Sequence, residues 1–182
     1  MNFTTKTLLY VIGFIATCFL GFYVIGLVKP TVTYETTLVV NRSAEQTWKV
    51  FTNKELMSQW MPGFIKIENI KGEALQKNSE FKIFVKEDGQ DFEMIEKVKE
   101  VIPNKFYEFE IENGILRNQI KIKFVETQPF TTEITQTCEV HAQNWFLRSL
   151  FVFFKSQFKE QDEKTLLALK KLVEMDVIEL SN

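Results

Sequence analysis

Between residues 64 and 141 six segments in succession alternate apolar and polar side chains with a period of two, and over residues 144–175 the period becomes that of one long helix. A strand buries side chains of one parity and solvates the other, whereas a helical stripe recurs every three to four residues. Antiparallel strands joined by short turns, followed by one helix long enough to lie across them, leave few folds open. The strands read 64–71, 79–86, 91–102, 105–111, 115–125 and 131–141. Turn-forming residues separate them: Lys77-Asn78, Asp88-Gly89, Pro103-Asn104, Asn113-Gly114 and Gln128-Pro129.

Upstream, from Thr33, residues Tyr34, Thr36, Leu38 and Val40 alternate with Glu35 and Thr37, which reads as a further half-buried strand. Asn41 or Ser43 can cap a helix over 44–52 that carries Trp48 and Phe51 on one face. Leu56, Met57 and Trp60 make a second short helix that Pro62-Gly63 ends.

The first 32 residues are of another kind. Residues 8–28, LLYVIGFIATCFLGFYVIGLV, carry no charge and stand between Lys6 and Lys29. At the helical rise this run measures about 30 Å, the thickness of a bilayer's hydrocarbon core. A cleaved signal would have a shorter apolar region and a small-residue cleavage site, and neither is present. An uncleaved single span is therefore expected, in a membrane of the bacterial inner-membrane type, with the side of the soluble part left open by near-equal flanking charge. Residues 1–7 read as a tail, 29–32 as a linker that Pro30 opens, 33–176 as one domain and 177–182 as a second tail. The short linker holds the domain within about 15 Å of the bilayer surface.

Eighteen Phe, against seven Gly and four Pro, mean many large side chains that an interior must take up. Net charge is −2, so no basic field invites nucleic acid. Cys18 lies in the apolar run and Cys138 in a strand, so both read as free thiols.

The order of strand, two short helices, six strands and a long helix resembles the SRPBCC superfamily, which includes START lipid-transfer domains, pollen-allergen-like proteins and polyketide cyclase/dehydrase-like proteins. The resemblance is carried by VVNRSAEQTWKVFTNKELMSQW at 39–60, KVKEVIPNKFYEFEIENG at 97–114, QPFTTEITQT at 128–137 and LLALKKLVE at 166–174, and spans roughly 34–175. Ser43 stands where the family often has proline, and Asn78 where it often has glycine. What the resemblance implies is an α+β helix-grip fold: a curved seven-stranded antiparallel sheet around the C-terminal helix, the first strand beside the last, an apolar cavity between sheet and helix, and a mouth at the end nearest the span.

Alternation nominates the cavity wall: Phe81, Ile83 and Val85; Phe92, Met94 and Val98; Tyr107, Phe109 and Ile111; Ile120, Ile122 and Phe124. Phe151, Phe154 and Phe158 recur at helical spacing and face them, with Leu147. Side chains this large either fill the space or wall a pocket. Glu96 shares the face of Met94 and Val98; it is an inward carboxylate, or it reaches the rim or pairs with Asn118 or Gln136. His141 reads as solvated at a strand end and Cys138 as a small core residue. No catalytic residue, cofactor or metal ligand set is identified. Trp145, Phe146, Val152 and Phe153 fall on the other side of the helix and need lipid, the span or a second subunit to cover them. Residues 159–164, KEQDEK, read as a solvated stretch of helix. The expected function is a membrane-anchored protein binding a hydrophobic small molecule or lipid. A polyketide cyclase/dehydratase-like enzyme and an interaction module with a filled core are the alternatives.

Overall fold

The computed structural model describes residues 3–87 and 89–175. Asp88, half of one expected turn, and the expected C-terminal tail lie outside the described residues. Helix α1 (Phe3–Val28) leads through Lys29 and Pro30 into β1 (Thr31–Val40), then α2 (Ala44–Thr52), a 3-10 turn (Lys54–Leu56) and α3 (Met57–Trp60). Strands β2 (Phe64–Lys71), β3 (Glu80–Glu87), β4 (Gln90–Ile102), β5 (Phe106–Glu112), β6 (Leu116–Gln128) and β7 (Thr131–Ala142) follow, and α4 (Trp145–Glu174) closes the chain. Over Lys6–Val28, α1 is long and apolar enough to cross a membrane. The first strand begins at Thr31, inside the expected linker.

Local chemistry explains the boundaries. Ser43, not Asn41, caps α2: its hydroxyl accepts from the Gln46 N–H at 3.2 Å while the Gln46 side chain accepts from the Ser43 N–H at 3.3 Å. Asn78 holds φ at 68°, the left-handed conformation that asparagine tolerates better than most residues. Asn144 caps α4 by accepting from the Leu147 N–H at 3.0 Å.

The seven strands lie in the order β1-β7-β6-β5-β4-β3-β2, each pair antiparallel. The last strand joins the first, and bulges in β2, β4 and β6 add curvature. With α4 across the concave face this is the helix-grip fold. Three cross-strand rows form that face. One runs Val98, Phe109, Ile120, Cys138, Tyr34; a second Tyr107, Ile122, Gln136, Thr36; a third Glu96, Ile111, Asn118, Val140, Val32. Polar side chains therefore stand in the same rows as the apolar ones.

Helix α4 is held at both ends. Near its C-terminus Leu166, Leu169, Leu172 and Val173 are buried, and Lys170 Nζ donates to the Val39 carbonyl at 2.8 Å. At its start it runs antiparallel against the end of α1. The Ser149 hydroxyl donates to the Phe22 carbonyl at 2.5 Å, and the Phe22 ring lies 5.5–6.4 Å from Trp145, Phe146 and Phe153. Tyr23 meets Trp145 edge-on at 5.0 Å. Of the four residues expected to need covering, three thus touch α1 while Phe146 and Phe153 stay half exposed or more. Val152 departs from that expectation. It packs against the domain core, because its direction falls between the sheet-facing and α1-facing sides of the helix.

Candidate ligand cavity

Sheet and helix do not close on one another. Between them, bounded by β2 to β7, α3 and Gln161, Asp162, Thr165 and Leu166 of α4, lies a cavity of about 470 Å³. At about 30 Å³ per water-sized group it admits on the order of fifteen non-hydrogen atoms, one chain or a small ring system. Exposed Pro62, Gly63, Lys86, Glu87 and Gln161 form its rim, with Asn113 and Leu116 beside them. Lys86, Glu87, Asn113 and Leu116 lie at the sheet end where β1 leaves α1.

Ten of the nominated wall residues border this space: Phe81, Ile83, Val85, Met94, Glu96, Tyr107, Phe109, Ile111, Ile120 and Ile122. Seven do not: Val98 and Leu147 pack into the core instead, and each of the other five stands away for a physical reason. Phe92 sits on the β3–β4 hairpin beyond the reach of α4 and is 41% exposed. Phe124 is buried at the opposite end, its ring 5.4 Å from both Trp48 and Phe51 of α2. Phe151 and Phe158 pack edge-to-face at 5.3 Å and fill their own section of the interface. Phe154 is 40% exposed, because the inward face of α4 is centred about 75° round from the Leu147–Phe154 side. That face runs through Phe151, Asp162, Leu166, Leu169 and Val173.

Sequence reasoning missed Lys54, Trp60, Asn118, Gln136, Asp162 and Thr165, all of which line the cavity. Asp162 lay hidden in a charged run, yet it stands eleven residues after Phe151, about three helical turns, and that spacing places it inward. Gln136 and Asn118 follow directly from strand parity: each has the parity of buried neighbours.

Two polar clusters face the space. In the first, the Tyr107 hydroxyl donates to Glu96 Oε1 at 2.5 Å, with both residues buried. Neither Asn118 nor Gln136 bonds Glu96. Lys54 sits above the Phe81 ring, Nζ 4.7 Å from its centroid, and its charge reaches Glu96. Burial raises the Glu96 carboxyl above its ordinary range, against the Tyr107 bond and Lys54. In the second, Cys138 Sγ donates to Asp162 Oδ2 at 3.1 Å and accepts from Gln136 Nε2 at 3.4 Å, with the Tyr34 hydroxyl alongside. Burial raises Asp162 and pushes the Cys138 thiol up to about 12, so this thiol is no nucleophile near neutral pH. Trp60 Nε1 and Asn118 Oδ1 are buried without a hydrogen-bond partner among the described residues. His141 lies apart on the convex face, Nδ1 3.1 Å from the Thr31 hydroxyl. Among the described residues no three His, Cys, Asp or Glu side chains gather as a metal site requires.

The raised Glu96 carboxyl fixes a pH dependence. The unfolded chain loses this proton near the ordinary carboxylate value and the folded chain loses it later. The stability it contributes is therefore complete below the ordinary value and is lost as pH rises through the folded one. Glu96→Gln, which cannot ionise, should be more stable than the unaltered chain near neutral pH, with the difference vanishing toward about pH 4. Thermal unfolding of both proteins across that range checks this; parallel profiles would refute it.

The fold recurs in solved structures of low identity. Ara h 8.0201 is 20% identical with a TM-score of 0.61, over 84% of this chain and 99% of that one. An aromatase/cyclase from Streptomyces, Zhui, is 12% identical with a TM-score of 0.67, over 81% and 96%. A Staphylococcus aureus protein of unknown function is 13% identical at the same TM-score and the same coverage. Among curated proteins none matches the sequence. A family model described as polyketide cyclase / dehydrase and lipid transport matches residues 31–174, every element from β1 to α4, and to that family the chain belongs.

Proposed function

We propose that this protein is a membrane-anchored binding protein that holds one hydrophobic molecule, of lipid or isoprenoid class, between sheet and helix. The observation that carries the reading is the cavity of about 470 Å³ walled largely by aromatic and aliphatic side chains. Its size suits a single chain and is too small for a two-chain lipid. The family's description names lipid transport, and the span supplies a source of apolar ligand at the domain's own end. With α1 in the bilayer, Trp145, Phe146 and Phe153 stand beside it at the lipid interface, and the rim at Asn113 and Leu116 is on the same side.

Detergent-free extraction of the full chain, followed by denaturation and lipid mass spectrometry, tests this. One apolar molecule per chain is expected. Ile111→Trp, at a half-buried lining position, should cut that occupancy about tenfold by filling the space, without unfolding the domain. Equal apolar content in both preparations would sink the reading.

A second reading, a cyclase- or dehydratase-like enzyme, is favoured by one observation: Glu96 and Asp162, both raised by burial, border the same cavity and could exchange protons with a ligand. It requires Glu96→Gln and Asp162→Asn to bind ligand normally while turnover is lost.

A further inference from the structure

We propose that the cavity selects an uncharged hydroxyl-bearing amphiphile, a long-chain or polycyclic alcohol of on the order of fifteen non-hydrogen atoms, whose oxygen docks at the Glu96–Tyr107 pair. This rests on the carrier reading above and names the head group it implies.

The argument is one of matching. Glu96 and Asp162 are the ionisable side chains set into the wall, while Lys54, the cation among the lining residues nearest them, is exposed at the edge. A ligand carboxylate drawn inside would give up water to sit beside two carboxyl groups, with no buried cation to receive it. An ammonium would need an ionised carboxylate to receive it, the form that burial disfavours at both Glu96 and Asp162. A hydroxyl suits both states of Glu96: it accepts a bond from the protonated acid and donates one to the ionised form. Among the described residues the only hydrogen bond to Glu96 is Tyr107's, on Oε1, which leaves Oε2 for a ligand. Volume sets the other limit, since one chain fits and two do not.

The test titrates the full chain in phosphatidylcholine nanodiscs at about pH 8 with hexadecan-1-ol, hexadecanoate and hexadecane, following tryptophan fluorescence, which Trp60 in the wall reports. The alcohol should bind about tenfold more tightly than either other probe. Glu96→Leu should bring the alcohol to the level of hexadecane and leave hexadecane unchanged, which shows the cavity intact. Should that variant lose hexadecane as well, Glu96→Met, which keeps the length of the side chain and removes its oxygens, replaces it with the same loss of preference expected. Hexadecanoate binding as tightly as the alcohol, or an alcohol preference that survives the substitution, would overturn the head-group assignment. Binding of none of the three would overturn the carrier reading beneath it.

Discussion

Trp48→Ala should destabilise the domain by about 3–5 kcal/mol, while Phe154→Ala should change its stability by no more than about 0.5 kcal/mol. Both are large aromatic side chains on helices that pack against the sheet, but only one is a node. Trp48 is 6% exposed and its ring meets Phe124 at 5.4 Å, Phe51 at 6.1 Å and Tyr107 at 6.3 Å. Phe51 in turn contacts Trp60 at 5.7 Å, so the cluster clamps α2 and α3 over one end of the sheet. Truncation to alanine would leave a void that these rings cannot fill without leaving their rotamers. The effect should also reach the cavity, because Tyr107 is the residue that bonds Glu96. Phe154, by contrast, leaves 40% of its area in contact with nothing in the domain. Urea unfolding of the two variants measures the contrast, and losses of similar size would contradict this account of the core.

That contrast marks what the sequence discloses. Strand parity is a period of two, and a residue has only two faces to choose between, so Phe81, Ile83, Met94, Tyr107, Phe109 and Ile122 could be placed from the pattern alone. Turn chemistry and the Ser43 cap likewise act within a few residues and are written locally. Helix α4 is harder. An inward face about 75° round from the Leu147–Phe154 side moves Phe154 out and Asp162 in, and the many aromatic residues of its first turns offer several faces of similar apolarity. Those turns serve two neighbours at once, the sheet and α1, and a one-dimensional pattern does not say which side chain serves which. Phe92 shows a different limit: parity gives the face of a strand but not how far along it the helix extends. Glu96 is open between wall and rim in the sequence because its partner, Tyr107, is eleven residues away on the next strand and two rows removed, a tertiary fact.

Gly26→Leu should undock α4's first turns from α1, with amide exchange over residues 145–153 accelerating roughly ten- to hundredfold and the sheet unaffected. A side chain at Gly26 would begin 2.1 Å from the Trp145 carbonyl oxygen and 2.4 Å from Ser149 Oγ. The obstruction is partly backbone, so no rotamer change relieves it. The Ser149 bond to the Phe22 carbonyl and the ring contacts of Phe22 would be lost together. Helix propensity works in the opposite direction, since leucine is favoured over glycine in a helix by roughly 0.5–1 kcal/mol. Any loosening would therefore come from the contact and not from α1 itself. Gly21→Leu is the matching control: a side chain there meets nothing within 4 Å, and exchange over 145–153 should stay as it was. Hydrogen exchange on the full chain in nanodiscs reads both variants. If both leave the first turns of α4 protected, α1 is only a tether. If Gly26→Leu alone releases them, the last turns of α1 are part of the domain and help to position the start of α4.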